Sequence, residues 1–478
     1  MDVRTSDADF ATFFDPRGVA VVGSMREPGG EALTVVRNML QFGFRGSICP
    51  INPSQSELLG LRVYPALSEA PGSIDLAMLI TPPRAVAGLV EQCAQRGIRA
   101  VIVGTEGFAE RGEDGANLQR EIVGLARSRG LRLLGPNTVG LVNTSNGLIT
   151  VPYTFDYNQI RKGGLAFASQ TGFAAAQGQP LEDRGYPISK MCDFGNKCDL
   201  NEADLLEYLR HDSETRVITL HMESVAEGPG LRRALQATAA SKPVLIFKTG
   251  RTVEGARASS SHTGSLATTG RAFDALFKQT RAIRLDSWHE YWEVPKLLAS
   301  QPLPKGNRIG MVTVTGGVGV AAVDVAVGSG LAVPRLSTRS MDRLTSLGVH
   351  FNGNPVDLGP SMVVSQDPLK LTENAIAVVL ADPNVDLGLV VLPVGVDRWA
   401  SATIGVFQRL KPAIDKPLAV FAYGTRVSVT EEVVRQLDGM DVPAYLDLDT
   451  AVKALAAAAA YARTPSGGAS RRVSGSAR

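Results

Sequence analysis

The sequence is poor in cysteine, in histidine and in charge of one sign, and each shortage excludes a class of protein. Four cysteines in 478 residues, without a CxxC spacing, argue against a disulfide framework or a zinc site, and we expect reduced, structural thiols. The 49 basic and 47 acidic side chains leave a net charge of +2, which is too small to attract nucleic acid or an anionic membrane. We therefore expect small molecules or other proteins as partners.

Long apolar runs are missing as well. The longest, the alanine-rich segment that begins at Ala451, is too short to span a bilayer, and the polar, acidic first residues lack the basic start of a signal peptide. The phosphate-binding pattern GxxxxGK[ST] is also absent. We expect a soluble, cytoplasmic protein without a metal site of its own.

Short apolar runs alternate with amphipathic segments along most of the chain. Such runs are typical of parallel strands that are buried on both faces and connected by helices. A second set begins after residue 153, with Asn201 as a helix cap, and a third set follows the breaker-rich 301–307. The pattern predicts three α/β units with doubly wound sheets. In the first unit the predicted strands are 18–23, 47–52, 75–80, 99–104 and 131–135.

The first strand ends in a glycine turn, residues 23–30, that precedes a helix. A glycine here lets backbone N–H groups approach a phosphate at the helix N-terminus. The spacing is not GxGxxG, and the second strand ends in Asn52 and Pro53, where an NAD-binding fold usually has an acid. The turn therefore favours a phosphorylated cofactor other than NAD. A purely structural turn and a nicotinamide-dependent reductase remain open.

One histidine, His262, lies in a run of small residues, 249–265, without bulky apolar neighbours. We expect its side chain to lie on an exposed, mobile loop, where Gly255 and Gly264 allow unusual backbone angles. Neutral imidazole is abundant near pH 7, and its free ring nitrogen can attack phosphorus. We expect the remaining histidines to be surface or structural groups, namely His211, His221, His289 and His350.

Two later turns share the form of a strand, a few small residues and a helix. Either turn alone is also compatible with an ordinary strand-to-helix connection, but each can direct free amides and the positive end of a helix dipole at an anion. The first turn is Ser169, Gln170, Thr171 and Gly172, and the second turn is Thr315, Gly316, Gly317, Val318 and Gly319.

Glu223 follows a predicted strand at the edge where open parallel sheets place their sites. A carboxylate at this position could accept the second ring N–H of His262 and so fix the imidazole tautomer. A solvated acid at a strand end is the alternative interpretation.

These features occur in a fixed order together with further short motifs. They are GVAVVGS, PINP, ITPP, GFAERGEDG, GPNTVG, SQTG, FGNKCDLNEADLL, the histidine run, TGGVG and NPVDL. In this order they resemble the NDP-forming acyl-CoA synthetase superfamily of succinyl-CoA synthetase and ADP-forming acetyl-CoA synthetases, over nearly the whole chain. The resemblance implies a Rossmann-like CoA-binding domain at 1–145 and two flavodoxin-like CoA-ligase domains at 146–302 and 303–463. The small, basic residues 464–478 are expected to form a disordered tail.

The resemblance implies the α-type subunit of a reversible ligase that converts acid, CoA and NTP to acyl-CoA, NDP and phosphate. It implies an acyl phosphate and a phosphohistidine as intermediates, with His262 and Glu223 as catalytic residues and the two turns as phosphate-binding segments. The coenzyme A positions that it implies are Gly23, Ser24, Met25, Arg26, Asn52, Pro53, Thr81, Pro82, Pro83, Asn137 and Thr138.

No segment of the sequence resembles the ATP-grasp domains of this family. The resemblance therefore implies a separate ATP-grasp β subunit, most simply in an α2β2 assembly, that holds the NTP or NDP with Mg²⁺. Departures from the family pattern, such as Met25 and Thr171, could change the CoA or acyl pocket. A non-catalytic CoA-binding regulator or scaffold of the same fold is the alternative, and the sequence does not identify the carboxylic acid.

Overall fold

The structure is a computed structural model that describes residues 7–153, 160–173, 184–263, 270–395 and 397–463. Within these ranges the strands form sheets of five, seven and five strands and one two-stranded ribbon. The predicted architecture of successive α/β units is confirmed. The strands are β1 Gly18–Gly23, β2 Ser47–Ile51, β3 Glu57–Leu58, β4 Leu61–Arg62, β5 Leu76–Ile80, β6 Ala100–Val103, β7 Arg132–Leu134, β8 Leu141–Asn143, β9 Leu148–Ile149, β10 Lys162–Ser169, β11 Ile188–Asp193, β12 Val217–Met222, β13 Val244–Lys248, β14 Ile283–Leu285, β15 Ile309–Thr313, β16 Val356–Asp357, β17 Leu387–Pro393, β18 Leu418–Tyr423 and β19 Ala444–Tyr445.

The described helices fill the connections between strands. None of them is long and apolar enough to cross a bilayer. They are α1 Asp7–Phe14, α2 Glu31–Gln41, α3 Pro83–Gln95, α4 Glu113–Arg129, α5 Glu202–His211, α6 Gly228–Ala239, α7 Val253–Thr263, α8 Gly270–Gln279, α9 Trp288–Ser300, α10 Gly316–Gly328, α11 Thr338–Ser346, α12 Gly359–Val364, α13 Pro368–Ala381, α14 Asp397–Leu410, α15 Val427–Gly439 and α16 Leu448–Arg463.

The first sheet has the order β2-β1-β5-β6-β7, and all of its strand pairs are parallel. Its central strands are buried along nearly their whole length, which explains the continuous apolar runs in the sequence. The carboxyl ends of β1, β5 and β6 meet at one edge, as expected for a doubly wound sheet. This edge carries the loops that were predicted to bind coenzyme A.

The second sheet has the order β14-β13-β12-β10-β11-β8-β9. Its strands from β10 to β14 pair in parallel, whereas β8 pairs antiparallel with both β11 and β9. The chain thus enters the second sheet at Leu141, before the predicted domain boundary between residues 145 and 146. That boundary stays a prediction. The predicted cap of α5 is confirmed, because the Asn201 side chain accepts a hydrogen bond from the Ala203 N–H.

The third sheet is parallel and has the order β16-β15-β17-β18-β19. The C-terminal helix α16 contacts both α9 of the second unit and α10 of the third. Apolar residues of both units, among them Tyr291, Ala322 and Leu455, therefore belong to one buried cluster. The predicted tail at 464–478 lies outside the described residues.

The expectation of a loop around His262 is wrong as far as residue 263, because α7 runs from Val253 to Thr263. Thr252 Oγ1 accepts the Gly255 N–H at 3.0 Å, and Glu254 adds negative charge in the first turn, so the helix has a favourable start. Alanine-containing segments need no bulky apolar residues to become helical. Gly255 lies inside this helix, whereas Gly264 and the His262 side chain lie outside the described part of the chain.

Candidate functional site

The site is a cavity of about 590 Å³ between the first sheet and the first turn of the second unit. Three of its lining residues, Glu31, Glu106 and Asp193, are carboxylic acids, and none of its described lining residues is a lysine, arginine or histidine. An anion in this cavity would therefore depend on neutral donors such as backbone N–H groups. The lining residues are Glu31, Ile80, Thr81, Pro82, Gly104, Thr105, Glu106, Asn137, Thr138, Val139, Pro152, Tyr153, Gln170, Thr171, Gly172, Phe173, Asp193, Gly195 and Asn196.

Four of the predicted coenzyme A positions line this cavity, namely Thr81, Pro82, Asn137 and Thr138. They come from the ends of β5 and β7 in the first unit. The Thr81 side-chain hydroxyl is buried and makes no hydrogen bond to the described residues. The cavity size and this unsatisfied hydroxyl fit a bound polar ligand such as the thiol arm of coenzyme A.

The glycine turn after β1 lies beside the cavity, and its predicted residues do not line it. Asn52 Nδ2 donates to the Gly23 carbonyl at 2.8 Å, which holds the turn against the end of β2. The Met25 side chain is buried in the core, whereas Ser24 and Arg26 are exposed. Two further predicted positions also lie outside the lining, the exposed Pro53 and Pro83 at the start of α3.

The side chain of Gln170 connects the first turn to the strand end that carries Glu223. Gln170 Oε1 accepts the backbone N–H groups of Glu223 and Ser224, both at 2.9 Å, and Gln170 Nε2 donates to Ser224 Oγ at 2.9 Å. The side chain is thus used inside the protein.

A buried ion pair supports the same turn. Lys197 Nζ donates to Gln170 Oε1 at 2.9 Å, to the Ser224 carbonyl at 2.8 Å and to Glu202 Oε1. The side chains of Lys197 and Glu202 are each only 2% exposed. Because Lys197 Nζ donates to these three partners, the side chain holds the turn in place and does not extend into the cavity.

Ser169 is buried beneath the turn and contacts a buried histidine. Ser169 Oγ lies 3.0 Å from His221 Nδ1 and accepts the Thr171 N–H at 3.0 Å, while His221 Nε2 lies 3.0 Å from Thr249 Oγ1. Burial lowers the pKa of His221 to about 3, and the positive charges of Lys248 and Lys197 act in the same direction. His221 is therefore a neutral structural group, as the sequence predicted.

Glu223 directly follows β12, and its backbone is held from two sides. Besides the N–H bond to Gln170, the Glu223 carbonyl accepts a hydrogen bond from Lys248 Nζ at 2.8 Å. Burial lowers the pKa of Lys248 to about 8, although the Glu223 charge acts to raise it. The backbone of the predicted catalytic residue Glu223 and the first turn thus belong to one connected network.

The second turn is more open than the first. Thr315 is the N-cap of α10, and Gly316 to Gly319 form the first helical turn, so the glycines do not precede the helix as the sequence suggested. Thr315, Gly316 and Gly317 are exposed, and the Thr315 hydroxyl lies 2.5 Å from that of Tyr423. The first-turn amides of α10 still lack helical partners. No described residue of this turn lines the cavity.

The helix that carries His262 lies next to one rim of the cavity. Helix α7 contacts the short 3-10 helix Ala109–Arg111 of the first unit. Within that segment, Glu110 accepts a hydrogen bond at 2.6 Å from Asn196 Nδ2, and Asn196 lines the cavity. Burial acts to raise the pKa of Glu110, but the bonds from Asn196 and the backbone lower it overall. The backbone of α7 is therefore positioned close to the candidate site.

Sequence reasoning missed Asp193 and Lys197. Asp193 ends β11 at the carboxyl edge of the sheet, which is the same signal that identified Glu223. Lys197 lies in the quoted segment FGNKCDLNEADLL, but its role depends on contacts with Gln170 and Ser224, which are distant in sequence. For a metal ion, the described residues contain no suitable group of three or more His, Cys, Asp or Glu ligands.

Comparison with family models gives two matches that follow each other along the chain. Residues 17–144 match a CoA binding domain, and residues 162–298 match a succinyl-CoA ligase like flavodoxin domain. The first match contains the first sheet. The second contains the first turn, Glu223 and α7.

Two curated relatives are similar over most of the chain. An ADP-forming acetate–CoA ligase II of Archaeoglobus fulgidus is 32% identical over 462 residues, which cover 95% of this chain and 67% of that protein. The α subunit of an ADP-forming acetate–CoA ligase I of Pyrococcus furiosus is also 32% identical, over 93% of this chain and 96% of that subunit. The chain therefore corresponds to nearly a whole subunit in one relative and to part of a longer chain in the other.

A solved structure has the same fold over almost its full length. It is a dinucleotide-forming acetyl-coenzyme A synthetase 1 of Candidatus Korarchaeum cryptofilum in complex with phosphate and ADP. Its TM-score is 0.86 at 30% sequence identity, and the match covers 95% of this chain and 97% of that one.

Proposed function

The chain belongs to the family of ADP-forming acid–CoA ligases, and from that premise we propose that it is the α-type subunit of an NDP-forming acyl-CoA synthetase. The enzyme converts a carboxylic acid, CoA and NTP to acyl-CoA, NDP and phosphate, and the reaction is reversible. The observation that carries the proposal is the shared cavity. It brings Thr81, Asn137 and Thr138 of the CoA-binding unit together with Gln170, Thr171 and Gly172 of the first turn.

In this proposal the cavity is the place where the acyl group passes between phosphate and the CoA thiol. The wall contains no described basic side chain, so the amides of the first turn other than the Thr171 N–H, which Ser169 Oγ accepts, hold the phosphate. The buried bonds of Gln170 and Lys197 keep these amides in a fixed position. Such preorganised donors stabilise the charge that develops at the phosphate during transfer.

His262 then carries the phosphoryl group away from the acyl site. A ring nitrogen of the neutral imidazole attacks phosphorus, and the Glu223 carboxylate accepts the N–H of the other ring nitrogen and stabilises the positive charge. The exposed amides at the start of α10, at Gly316 and Gly317, supply a second contact for the phosphohistidine. The contact between α7 and the Ala109–Arg111 segment supports this route of phosphoryl transfer, because it places the helix beside the cavity.

The nucleotide half of the reaction is assigned to a partner. The Archaeoglobus relative extends well beyond the region that this chain matches, whereas the Pyrococcus relative is a named α subunit of nearly equal extent. We infer a separate ATP-grasp β subunit, most simply in an α2β2 assembly in the cytoplasm, that holds the NTP or NDP with Mg²⁺.

The test uses the complex that co-purifies with the full chain. With γ-labelled ATP or GTP and Mg²⁺, we expect an acid-labile label on this chain that is lost in His262→Asn and transferred to phosphate when acid and CoA are added. A panel of carboxylic acids then identifies the substrate by acyl-CoA formation. CoA binding without any label would contradict the enzyme and favour the regulatory or scaffold alternative.

A further inference from the structure

Asp193 is a buried carboxylic acid in the wall of the cavity that phosphoryl transfer to His262 does not use. It is the last residue of β11 and pairs with Ser169, the first residue of the first turn. It is only 2% exposed, and its two carboxylate oxygens accept the N–H groups of Val139 at 2.8 Å and Gly195 at 3.3 Å. These two bonds hold the carboxylate in a fixed position next to the turn.

A carboxylate is unfavourable beside a turn that binds phosphate, because like charges repel. Burial raises the pKa of Asp193 to about 6, against the opposing effect of its backbone hydrogen bonds, and the Glu223 charge raises it further. Carboxylic acids with such pKa values are suited to exchange protons near neutral pH. The titratable groups that interact electrostatically with Asp193 are Glu223, Tyr153, Cys192 and Tyr291, and Tyr153 also interacts with Glu31 and Glu106.

We propose that Asp193 is the general base that takes the proton from the thiol of coenzyme A, an inference that rests on the proposed function. The thiol sulfur forms a bond to the acyl carbon of the acyl phosphate, and the bond from that carbon to the phosphate oxygen breaks. The thiol proton passes to the Asp193 carboxylate, and the electron pair of the broken bond leaves with the phosphate. Asp193 then returns the proton to the departing phosphate, so the site is unchanged after turnover.

The other two carboxylates of the cavity are less suited to this role. Glu31 and Glu106 are exposed, so their charges are solvated and their side chains are not held in one position. Asp193 is aligned with the start of the first turn, through its pairing with Ser169. It also lies beside Thr138, whose hydroxyl donates to the Asp193 carbonyl at 2.6 Å and which belongs to the predicted CoA loop.

The test compares two reactions of acetyl phosphate. With labelled acetyl phosphate as the probe, the full chain either phosphorylates His262 or, when CoA is present, forms acetyl-CoA. We expect Asp193→Asn to lower acetyl-CoA formation by about 100-fold or more, which is a typical loss for a general base. We expect His262 phosphorylation to stay within about twofold, because that step needs no base at the thiol.

The pH dependence and a matched variant separate catalysis from structure. Acetyl-CoA formation should fall as the pH drops through about 6, because the base must be ionised, and Asp193→Asn should lose this dependence. Asp438→Asn is the control, since burial also raises the pKa of Asp438 to about 6, in the third unit. This control should retain the rate of acetyl-CoA formation and its decline as the pH drops through about 6.

Three results would overturn the inference. The first is an equal loss of both reactions in Asp193→Asn, which would indicate a structural role, and Asp193→Glu should then fail to restore acetyl-CoA formation. The second is an unchanged rate of acetyl-CoA formation in Asp193→Asn. The third is the absence of both reactions in the unsubstituted chain with the acyl phosphate of every acid in the panel, which would also remove the proposed function.

Discussion

The two glycine-containing turns follow the same plan but are supported differently. The first, at residues 169–172, lies against a buried network in which Gln170, Lys197 and Glu202 are all satisfied inside the protein. The second, at residues 315–319, is exposed at the start of α10, where the Thr315 backbone bonds the Thr313 hydroxyl and the Thr315 hydroxyl contacts that of Tyr423. We infer that the first turn is a rigid wall and the second an accessible one.

We expect the largest loss of stability when the buried ion pair below the first turn is broken. Lys197→Met leaves Glu202 buried without its partner, and such losses typically cost about 3–5 kcal/mol of unfolding free energy. Chemical denaturation measures the change. The control is Lys370→Met, which removes an exposed partner of Glu373 in the third unit and should cost less than about 1 kcal/mol. Equal losses in the two variants would show that the buried pair stabilises the first turn no more than an exposed ion pair would.

A pair of glycine substitutions compares the turns directly. A Cβ atom at Gly172 would lie 2.6 Å from Val139 Cγ1, whereas one at Gly317 would meet nothing within 4 Å. Gly172→Ala should therefore cost about 1–3 kcal/mol of stability, and Gly317→Ala should cost none. Gly317→Ala should instead lower the yield of phosphohistidine, because its methyl group would obstruct an anion at the open amides. Thermal melts and labelling with acetyl phosphate give the two readouts, and destabilisation by Gly317→Ala would contradict the comparison.

His221, which lies beneath the first turn, makes the stability of the folded protein depend on pH. Its pKa is about 3 in the folded protein, below the value of about 6.5 for a free histidine. The unfolded chain therefore binds more protons, and stability falls as the pH drops from about 6.5 towards 3. Between pH 6.5 and 5 this contribution amounts to about 2 kcal/mol.

The variant His221→Asn removes that contribution. Its unfolding free energy should decline less than that of the unsubstituted chain over the same pH range, as followed by urea titration at each pH. The raised pKa values of Asp193 and Asp438 oppose the trend, but they are common to both proteins. Parallel pH profiles for the two proteins would show that His221 is not the neutral group described here.

The smallest expected effect is at the second turn. Tyr423→Phe removes the hydroxyl contact of Thr315 at an exposed site, so the loss of stability should stay below about 1 kcal/mol. Differential scanning calorimetry would detect a larger value. A loss comparable to that of Lys197→Met would mean that the second turn is as tightly supported as the first.

The sequence predicted the parts of this molecule that depend on local patterns. The buried strands, the cap at Asn201 and the helix at the second turn follow from apolar periodicity and from the residue types at strand ends. The helix predicted after the first turn lies outside the described residues beyond Phe173. The resemblance to acyl-CoA ligases supplied the order of the units. The loop expected around His262 is a helix as far as residue 263, because the absence of apolar residues was taken as an absence of structure.

The remaining features depend on contacts between distant segments. Asp193 meets the first turn only because β11 pairs with β10 in the register that aligns Asp193 with Ser169. Lys197 bonds Gln170 and Ser224, which are distant in sequence, and no local pattern indicates which partners a buried lysine will find. The antiparallel strand β8 also depends on pairing with the distant β11, so no local pattern indicated that residues 141–143 join the second sheet.

The most direct test of the account is phosphorylation of this chain from the acyl side alone. The purified chain is incubated with labelled inorganic phosphate and a panel of acyl-CoA esters, from acetyl to aryl, in the absence of any nucleotide. We expect CoA release and an acid-labile label that maps to 253–263 and disappears in His262→Asn. A label that survives in His262→Asn, or no label with any ester, would contradict the claim that this cavity and His262 form one phosphoryl-transfer site.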